Sequence, residues 1–261
     1  MCYNRYTLRM DASISSLSIV IPAYNEEANV VGAVEEVSRV AQTLNVDYEI
    51  ILVNDGSRDR TGEVAQNALV TRIPNFRLLE HYPNRGYGGA LKAGFQAATK
   101  ELIAFTPSDQ QFKFSEITLL LDKLRPSIAL VSGWRVNRQD NVIRKLNGLG
   151  WNMVVTILFG RLIHDIDCGF KLFRREMLNH IYIESNGAMI DTEMLAEAKA
   201  RGYKFAEVPV THLPRTAGSP TGANLKVIAR AFRDLFIFRL RLWRELRDEK
   251  QAKKAAETQR H

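Results

Sequence analysis

The chain has 261 residues, of which 46% are hydrophobic and 25% are charged, a composition typical of one large globular domain or two small ones. Its 36 Lys and Arg residues exceed its 29 Asp and Glu residues, and the net charge of +7 suits a phosphate-rich partner or an anionic membrane surface without pointing to nucleic acid. The two cysteines exclude a zinc-binding set and a disulfide framework, which fits a reducing cytoplasm.

The N-terminal part of the sequence alternates short apolar runs with segments of helical periodicity. Strands are predicted at 17–21, 48–53, 76–79 and 101–105, and the helices between them are predicted from residue 25, at 60–69 and at 90–99. This alternation predicts an α/β fold with a mostly parallel central sheet flanked by helices. Ligands of such a sheet bind at the carboxyl ends of its strands.

The C-terminal part is less regular but continues the same domain. Helices are predicted at 116–124, 142–159 and 191–201, and strands at 128–132, 170–173 and 204–210. We expect an N-terminal extension at 1–16, one domain at 17–223, and a basic helix with a polar tail at 224–261. No apolar run has the length of a secretion signal or a membrane span, so we expect a chain that does not cross a bilayer by itself.

The segment 224–247 predicts a long amphipathic helix. Large apolar residues recur on one helical face, and arginines lie largely off that face. Such a basic helix fits a peripheral anchor on the cytoplasmic face of a membrane, and it equally fits a last helix that packs back on the domain. The charged segment 248–261 is expected to be frayed.

Polar residues follow the first two predicted strands. Tyr24 and Glu26 come after the first strand, and Asp55 comes after the second. Carboxylates at two adjacent strand ends can hydrogen-bond a nucleotide base and ribose, and an aromatic ring can lie against the base. Each stretch alone is equally explained by a helix start or a turn.

The stretch 104–112 leaves an apolar strand for a short polar segment. Asp109 and the amide oxygen of Gln111 are ligands suited to a hard divalent cation, Mg²⁺ or Mn²⁺. Pro107 stands where a second carboxylate would strengthen this site. We therefore expect metal binding to be weakened or altered.

These stretches together resemble the family 2 glycosyltransferases of the GT-A fold, and within that family the polyprenyl-phosphate glycosyltransferases. The resemblance covers about residues 17–220. The matching segments are 18–26 (SIVIPAYNE), 51–57 (ILVNDGS), 84–94 (NRGYGGALKAG), 132–135 (SGWR), 144–147 (RKLN), 165–173 (DIDCGFKLF) and 207–210 (EVPV), with Arg215.

The resemblance implies roles for individual residues. Ser108 and Asp109 are expected to contact the sugar and diphosphate of the donor, and Asp109 and Gln111 the metal. The residues expected to bind the donor nucleotide are Pro22, Ala23, Tyr24, Glu26, Val53 and Asp55.

Arginines are the candidates for holding the phosphate of a lipid acceptor. A polyprenyl phosphate is already a competent nucleophile and needs positioning and charge relief, which bidentate guanidinium groups supply. Arg135, Arg144 and Arg215 are expected in this role, and Arg135 is placed with Asp109 among the catalytic residues.

The sequence thus predicts an inverting transferase that moves mannose or glucose from GDP-mannose or UDP-glucose to a dolichyl or undecaprenyl phosphate. The alternative acceptor is a sugar hydroxyl of a glycan or glycolipid, which requires a carboxylate base. Asp191 or Glu193 would be that base, although capping of a helix explains both residues as well. A non-catalytic nucleotide-sugar binder is a third hypothesis, and a homo-oligomer is compatible with the sequence.

Overall fold

The computed structural model describes residues 15–136, 142–215 and 225–258, and within these ranges it leaves out the side chains of 142–147, 225–230 and 253–258. Seven strands form one sheet. They are β1 (Ser16–Ala23), β2 (Asp47–Asn54), β3 (Phe76–Glu80), β4 (Leu102–Phe105), β5 (Leu130–Val136), β6 (Lys171–Arg174) and β7 (Phe205–Thr211).

The strand order is β3-β2-β1-β4-β6-β5-β7. Neighbours pair in parallel except at β6, which runs antiparallel to both β4 and β5. The central strands are buried on both faces, as their continuous Val, Ile and Leu runs require. The predicted mostly parallel sheet is confirmed, and every predicted strand is present.

In the described part of the chain, seven helices flank the sheet: α1 (Val30–Thr43), α2 (Thr61–Leu69), α3 (Tyr87–Ala97), α4 (Ile117–Lys123), α5 (Val142–Phe159), α6 (Ile190–Ala200) and α7 (Leu225–Thr258). One hydrophobic core lies between the sheet and helices α1, α2 and α4. A second core joins the other face of the sheet to α3, α5, α6 and the start of the described part of α7. The sheet is therefore covered on both faces, and a ligand site can form where the strands end, at the carboxyl edge of the sheet.

Pro209 lies inside β7, although the sequence placed it at the strand's end. Among the described strands, β7 is the last in the sheet and pairs only with β5, so its outer edge needs no backbone donor at that position. The helix α3 also begins earlier than expected, at Tyr87, directly after Gly86 in the left-handed region at φ 84°.

Helix α7 packs against the domain and keeps an exposed apolar face as well. Leu235, Phe238 and Leu242 are buried, and the Phe238 ring stacks on Phe159 of α5 at 5.2 Å. These buried positions are not those of the apolar face that the sequence predicted. Of that predicted face, the described residues that follow Phe232 in the chain are exposed. The exposed apolar residues are Phe236, Ile237, Leu240 and Trp243.

The same helix is longer than predicted. It continues through Thr258, where a frayed tail was expected, because Glu, Lys, Arg and Ala are strong helix formers even without apolar contacts. Among the described helices, none contains an 18-residue stretch apolar enough to span a membrane.

Candidate active site

Three strand ends meet at one edge of the sheet. β1 lies between β2 and β4, so the segments after these strands are neighbours. Asp55 donates its backbone N–H to Ala23 O at 2.9 Å, and Ser108 Oγ donates to Pro22 O at 3.0 Å. The structure therefore brings together the segments that were predicted to bind the donor. Together with Arg215, which lies against them, we call these residues the donor side (Tyr24, Glu26, Asp55, Asp109 and Arg215).

The turn after β1 is fixed by the turn after β2. Asn25 has φ 55° and accepts the backbone N–H of Arg58 on Oδ1 at 2.7 Å. The backbone N–H of Glu26 donates to Thr61 Oγ1 at 2.8 Å. Asparagine tolerates the left-handed conformation that this turn needs. Both turns are thus held by side chains, and Tyr24 stays exposed beside them.

Asp55 is buried at the bottom of the donor side. Its Oδ1 lies 2.9 Å from His81 Nδ1 and accepts the backbone N–H of Arg85 at 3.0 Å. The carboxylate can only accept, so His81 carries its proton on Nδ1. Asn84 Nδ2 donates to Asp55 O at 2.6 Å. His81 was missed from the sequence because it lies 26 residues away on the end of β3.

The remaining predicted donor residues lie deeper in the sheet. Pro22, Ala23 and Val53 are buried, so these positions shape the floor of the site rather than presenting side chains to solvent. Glu26 accepts from Asn29 Nδ2 at 2.6 Å. Burial raises the pKa of Glu26, and neighbouring Asp109 adds to this, while Asn29 and Arg215 oppose it.

Asp109 and Arg215 form an ion pair on the donor side. Arg215 Nη2 donates to Asp109 Oδ2 at 2.7 Å, and Arg215 Nη1 lies 3.8 Å from Glu26 Oε1. Asp109 Oδ1 accepts the backbone N–H of Gln111 at 3.1 Å. The structure thus places Arg215 against the donor carboxylates, whereas the sequence predicted a contact with the acceptor phosphate.

A divalent cation would find only a partial ligand set among these residues. Gln111 Nε2 donates to Leu213 O at 3.1 Å, which leaves the amide oxygen of Gln111 as an acceptor. The described residues include no group of three or more His, Cys, Asp or Glu side chains arranged to hold a metal. Asp109 and Gln111 fit a cation whose remaining ligands are phosphate oxygens and water, the common arrangement for Mg²⁺.

Across the edge from these residues, a second set of charges surrounds the ends of β5 and β6. We call it the acceptor side (Arg135, Asp165, Asp167, Lys171 and Asp191). Arg135 Nε and Nη2 donate to the two oxygens of Asp165 at 2.7 Å each. Burial alone would lower the pKa of Arg135, but the hydrogen bonds and the charge of Asp165 raise it above its ordinary value.

Lys171 is fully buried and binds Asp191. Its Nζ donates to Asp191 Oδ1 at 2.5 Å, to Ile166 O at 3.0 Å and to Cys168 O. Burial raises the pKa of Asp191, an effect that Lys171 partly offsets. The predicted candidate base Asp191 is therefore shielded from solvent and held by a lysine that the sequence did not single out.

Glu193 is also buried and paired. Arg241 of α7 donates to Glu193 Oε1 at 2.6 Å, and the backbone N–H of Ser185 donates to Oε2 at 2.8 Å. Both acids lie in the first turn of α6, where negative charge favours the helix dipole, but no side chain makes a capping hydrogen bond at the helix start, Met189. Glu193 instead ties α7 to the domain.

Two further residues interact with these charges: Asp167 with those of the acceptor side, and Tyr87 with charges of both sides. Asp167 reaches solvent, yet surrounding protein together with Asp191 and Asp165 raises its pKa to about 6. Burial and the charges of Asp191, Cys168, Asp167 and Asp109 raise the pKa of Tyr87 well above its ordinary value. Both residues were missed as site residues, although the glycine-rich motif at 84–94 contains Tyr87.

Arg144, the third predicted phosphate-binding arginine, belongs to α5, and its side chain lies outside the described part of the structure. Helix α5 is the next described element after β5 in the chain.

Comparison with known proteins identifies the family. The family described as glycosyl transferase family 2 matches residues 18–182, well over half of the chain. The chain belongs to glycosyltransferase family 2. A dolichyl-phosphate beta-glucosyltransferase of Trichomonas vaginalis is 33% identical over 74% of this chain and 62% of its own length. A second such protein of the same organism is 31% identical over 90% of this chain and 77% of its own length.

Similarity extends to a bacterial protein. An undecaprenyl-phosphate 4-deoxy-4-formamido-L-arabinose transferase of Pectobacterium atrosepticum is 31% identical over 82% of this chain and 65% of its own length. The chain thus spans about two thirds of the length of several curated relatives.

Among solved structures, glucosyl-3-phosphoglycerate synthase from Mycobacterium tuberculosis has the same fold. Its complex with Mn²⁺, UDP and phosphoglyceric acid superimposes with a TM-score of 0.71 over 89% of this chain and 81% of that protein, at 19% identity. The same synthase was also solved with Mg²⁺ and UDP. The expected GT-A fold of this family 2 chain is confirmed.

Proposed function

We propose that this family 2 chain is an inverting glycosyltransferase that moves mannose or glucose from GDP-mannose or UDP-glucose to a dolichyl or undecaprenyl phosphate. The proposal is supported by the similarity of this chain to dolichyl-phosphate and undecaprenyl-phosphate transferases. In the structure, the three strand ends that carry the matching motifs form one donor side. Asp55 and Glu26 would bind the nucleotide, with Tyr24 against its base.

The ion pairs of Asp191 and Glu193 argue against the two bases that were predicted for a sugar-hydroxyl acceptor. A hydroxyl acceptor needs a carboxylate free to take its proton, and both predicted bases, Asp191 and Glu193, are buried and bonded to cationic partners. A phosphate oxygen is already ionised and needs only to be placed beside the anomeric carbon. Attack opposite to the leaving diphosphate inverts that carbon.

The leaving nucleoside diphosphate requires balancing charge. Asp109 and Gln111 are the residues that would hold Mg²⁺ or Mn²⁺, and the cation would supply Lewis-acid stabilisation of that charge. Ser108, fixed by its bond to Pro22 O, would line the sugar's position.

The phosphate-binding arginines remain a proposal with different support for each member. Arg135 is bound on two nitrogens by Asp165, so its effect on the acceptor would come from fixing the end of β5 and from its charge. Arg215 would reach a phosphate only after leaving Asp109. Arg144 is placed in this role by the family resemblance alone.

A membrane surface is the proposed location, and two helices supply the contact. Leu149, Met153 and Ile157 follow one another at helical spacing on α5 and are exposed, and α7 adds Leu240 and Trp243. Helices α5 and α7 are in contact, since Trp151 packs on Phe232 at 5.4 Å. Exposed apolar residues on two neighbouring helices, with arginines on α7, suit the interface of an anionic bilayer.

A substitution at Asp191 separates the two acceptor classes. If the acceptor is a lipid phosphate, Asp191→Asn lowers the unfolding midpoint but leaves the turnover of the folded enzyme within a few-fold of wild type. Turnover with polyprenyl phosphate, at saturating donor and with Mg²⁺ or Mn²⁺, is the measurement. A loss of turnover with unchanged donor affinity and stability would contradict a purely structural role of Asp191 and show that it acts in catalysis.

A further inference from the structure

Arg215 occupies a central position among the charges of the donor side. Its guanidinium donates to Asp109 at 2.7 Å and approaches Glu26 at 3.8 Å, so one cation serves both carboxylates. The two acids come from different strand ends, after β4 and after β1. A charge-assisted hydrogen bond at this distance is among the stronger polar contacts in proteins.

The surroundings of Asp109 offer little to a free metal ion. The side chain of Pro107 brings no oxygen ligand. Its ring packs against Gly169, where an added Cβ would lie 3.1 Å from it. Glu26, Asp109 and Arg215 together carry a net charge of −1 when all are ionised. A divalent cation on its own would therefore compete with a guanidinium for Asp109 and gain few ligands in return.

A nucleoside diphosphate changes this balance. Its phosphate oxygens supply the ligands that the protein lacks, and their negative charge attracts both the cation and a guanidinium. Arg215 can then give up Asp109 and pair with a phosphate oxygen without losing charge compensation.

We propose that the guanidinium of Arg215 binds Asp109 on the donor side of the ligand-free protein. Arg215 releases Asp109 only when a divalent cation binds together with a nucleoside diphosphate. The inference rests on the proposed function in one respect, the nucleoside diphosphate as ligand. Arg215 would thus contact Asp109 in the ligand-free state and a phosphate oxygen in the ligand-bound state, so its observed contact and its expected phosphate contact are compatible.

Binding of Mn²⁺ to the purified chain tests this proposal without sugar or acceptor. Free Mn²⁺ is followed by electron paramagnetic resonance, alone and with UDP or GDP. We expect wild type to bind Mn²⁺ at least about tenfold more tightly with one of the nucleotides than without. We expect Arg215→Met to bind Mn²⁺ alone about tenfold more tightly than wild type, because the competing guanidinium is gone.

Arg60→Met is the matched control. Arg60 is exposed and pairs with Glu27 at 3.6 Å, so this variant removes the same charge beside the donor side without freeing Asp109. Its Mn²⁺ affinity should equal that of wild type. If it tightens as much as Arg215→Met does, a general change of charge explains the effect and the proposal is wrong.

Other outcomes are equally decisive. Equal Mn²⁺ affinity of Arg215→Met and wild type, with the nucleotide effect intact, overturns the proposal and leaves the proposed function standing. Absence of any nucleotide effect in wild type contradicts the nucleotide site as well. If Arg215→Met does not fold, Arg215→Lys decides, since a single ammonium group cannot span Asp109 and Glu26 as the guanidinium does and should still tighten Mn²⁺ binding measurably.

Discussion

The donor side and the acceptor side use charged residues in different ways. On the donor side, Glu26 and Asp109 share one partly exposed guanidinium, and side chains hold the surrounding turns through backbone contacts. On the acceptor side, each buried carboxylate has its own cation, Asp165 with Arg135 and Asp191 with Lys171. The donor pairs can be exchanged for a ligand, whereas the acceptor pairs hold the loops in place.

Replacing Lys171 should have the largest effect and tests the structural role of the acceptor side. Lys171→Met leaves Asp191 buried without its cation, and breaking such a pair costs about 3–5 kcal/mol of folding free energy. Urea unfolding followed by circular dichroism measures this loss. Lys123→Met, on an exposed position of α4, is the control and should change little. An unchanged midpoint in Lys171→Met would show that the acceptor-side pair is not structural.

Replacing Asp109 tests the opposite character of the donor side. Asp109→Asn should lower the rate of sugar transfer on the order of 100-fold, because a fixed charge beside the diphosphate is lost. Stability should change little, since Arg215 is partly exposed and can hydrate. Transfer rate and unfolding midpoint are measured on the same preparation, with the exposed Asp122→Asn as control. A large loss of stability with transfer retained would reverse the roles assigned to the two sides.

The sequence predicted the donor side better than the acceptor side, because prediction depends on how far apart the interacting residues lie along the chain. The donor residues follow their strands directly, so local patterns and the family motifs located Glu26, Asp55 and Asp109. The acceptor-side pair of Lys171 and Asp191 joins residues 20 apart. Burial of Lys171 follows from the antiparallel strand β6, which periodicity does not reveal.

The same limit applies to α7. Its helical character was evident from the sequence, but the choice of buried residues depends on where α5 and α6 lie. Arg241 of α7 binds Glu193, which lies 48 residues earlier in the chain. With this contact in place, Leu235 and Phe238 face the core instead of the apolar face that the sequence predicted.

Membrane binding extends the comparison to the outer surface of α5 and α7. Ile157→Glu and Leu240→Glu should each weaken binding to phosphatidylglycerol-containing vesicles on the order of tenfold, since an apolar side chain is replaced by a repelled charge. Vesicle sedimentation measures this, with Gln66→Glu on α2 as a control of equal charge change. Unchanged vesicle binding would contradict a membrane contact of this face, and a dimer in solution that these variants dissociate would assign the face to another copy of the chain.

The smallest expected effect concerns Asp167 and pH. Its folded pKa of about 6 lies above the ordinary 3.8, so the ionised form is disfavoured in the folded state, although Arg135 and Lys171 partly compensate. Its contribution to stability therefore improves as the pH falls through about 6 and is unfavourable above that value. Asp167→Asn should raise the unfolding midpoint slightly at about pH 7.5 and less at about pH 5. An equal shift at both pH values would contradict the raised pKa.

A paired measurement with two acceptors distinguishes a lipid phosphate from a hydroxyl. Purified chain, Mg²⁺ or Mn²⁺ and labelled GDP-mannose or UDP-glucose are incubated with a polyprenyl phosphate or with the polyprenol of equal length. We predict transfer with one donor to the phosphate only, with inversion at the anomeric carbon seen by NMR. Transfer to the polyprenol or to a glycan hydroxyl, with none to the phosphate, would contradict a lipid-phosphate acceptor.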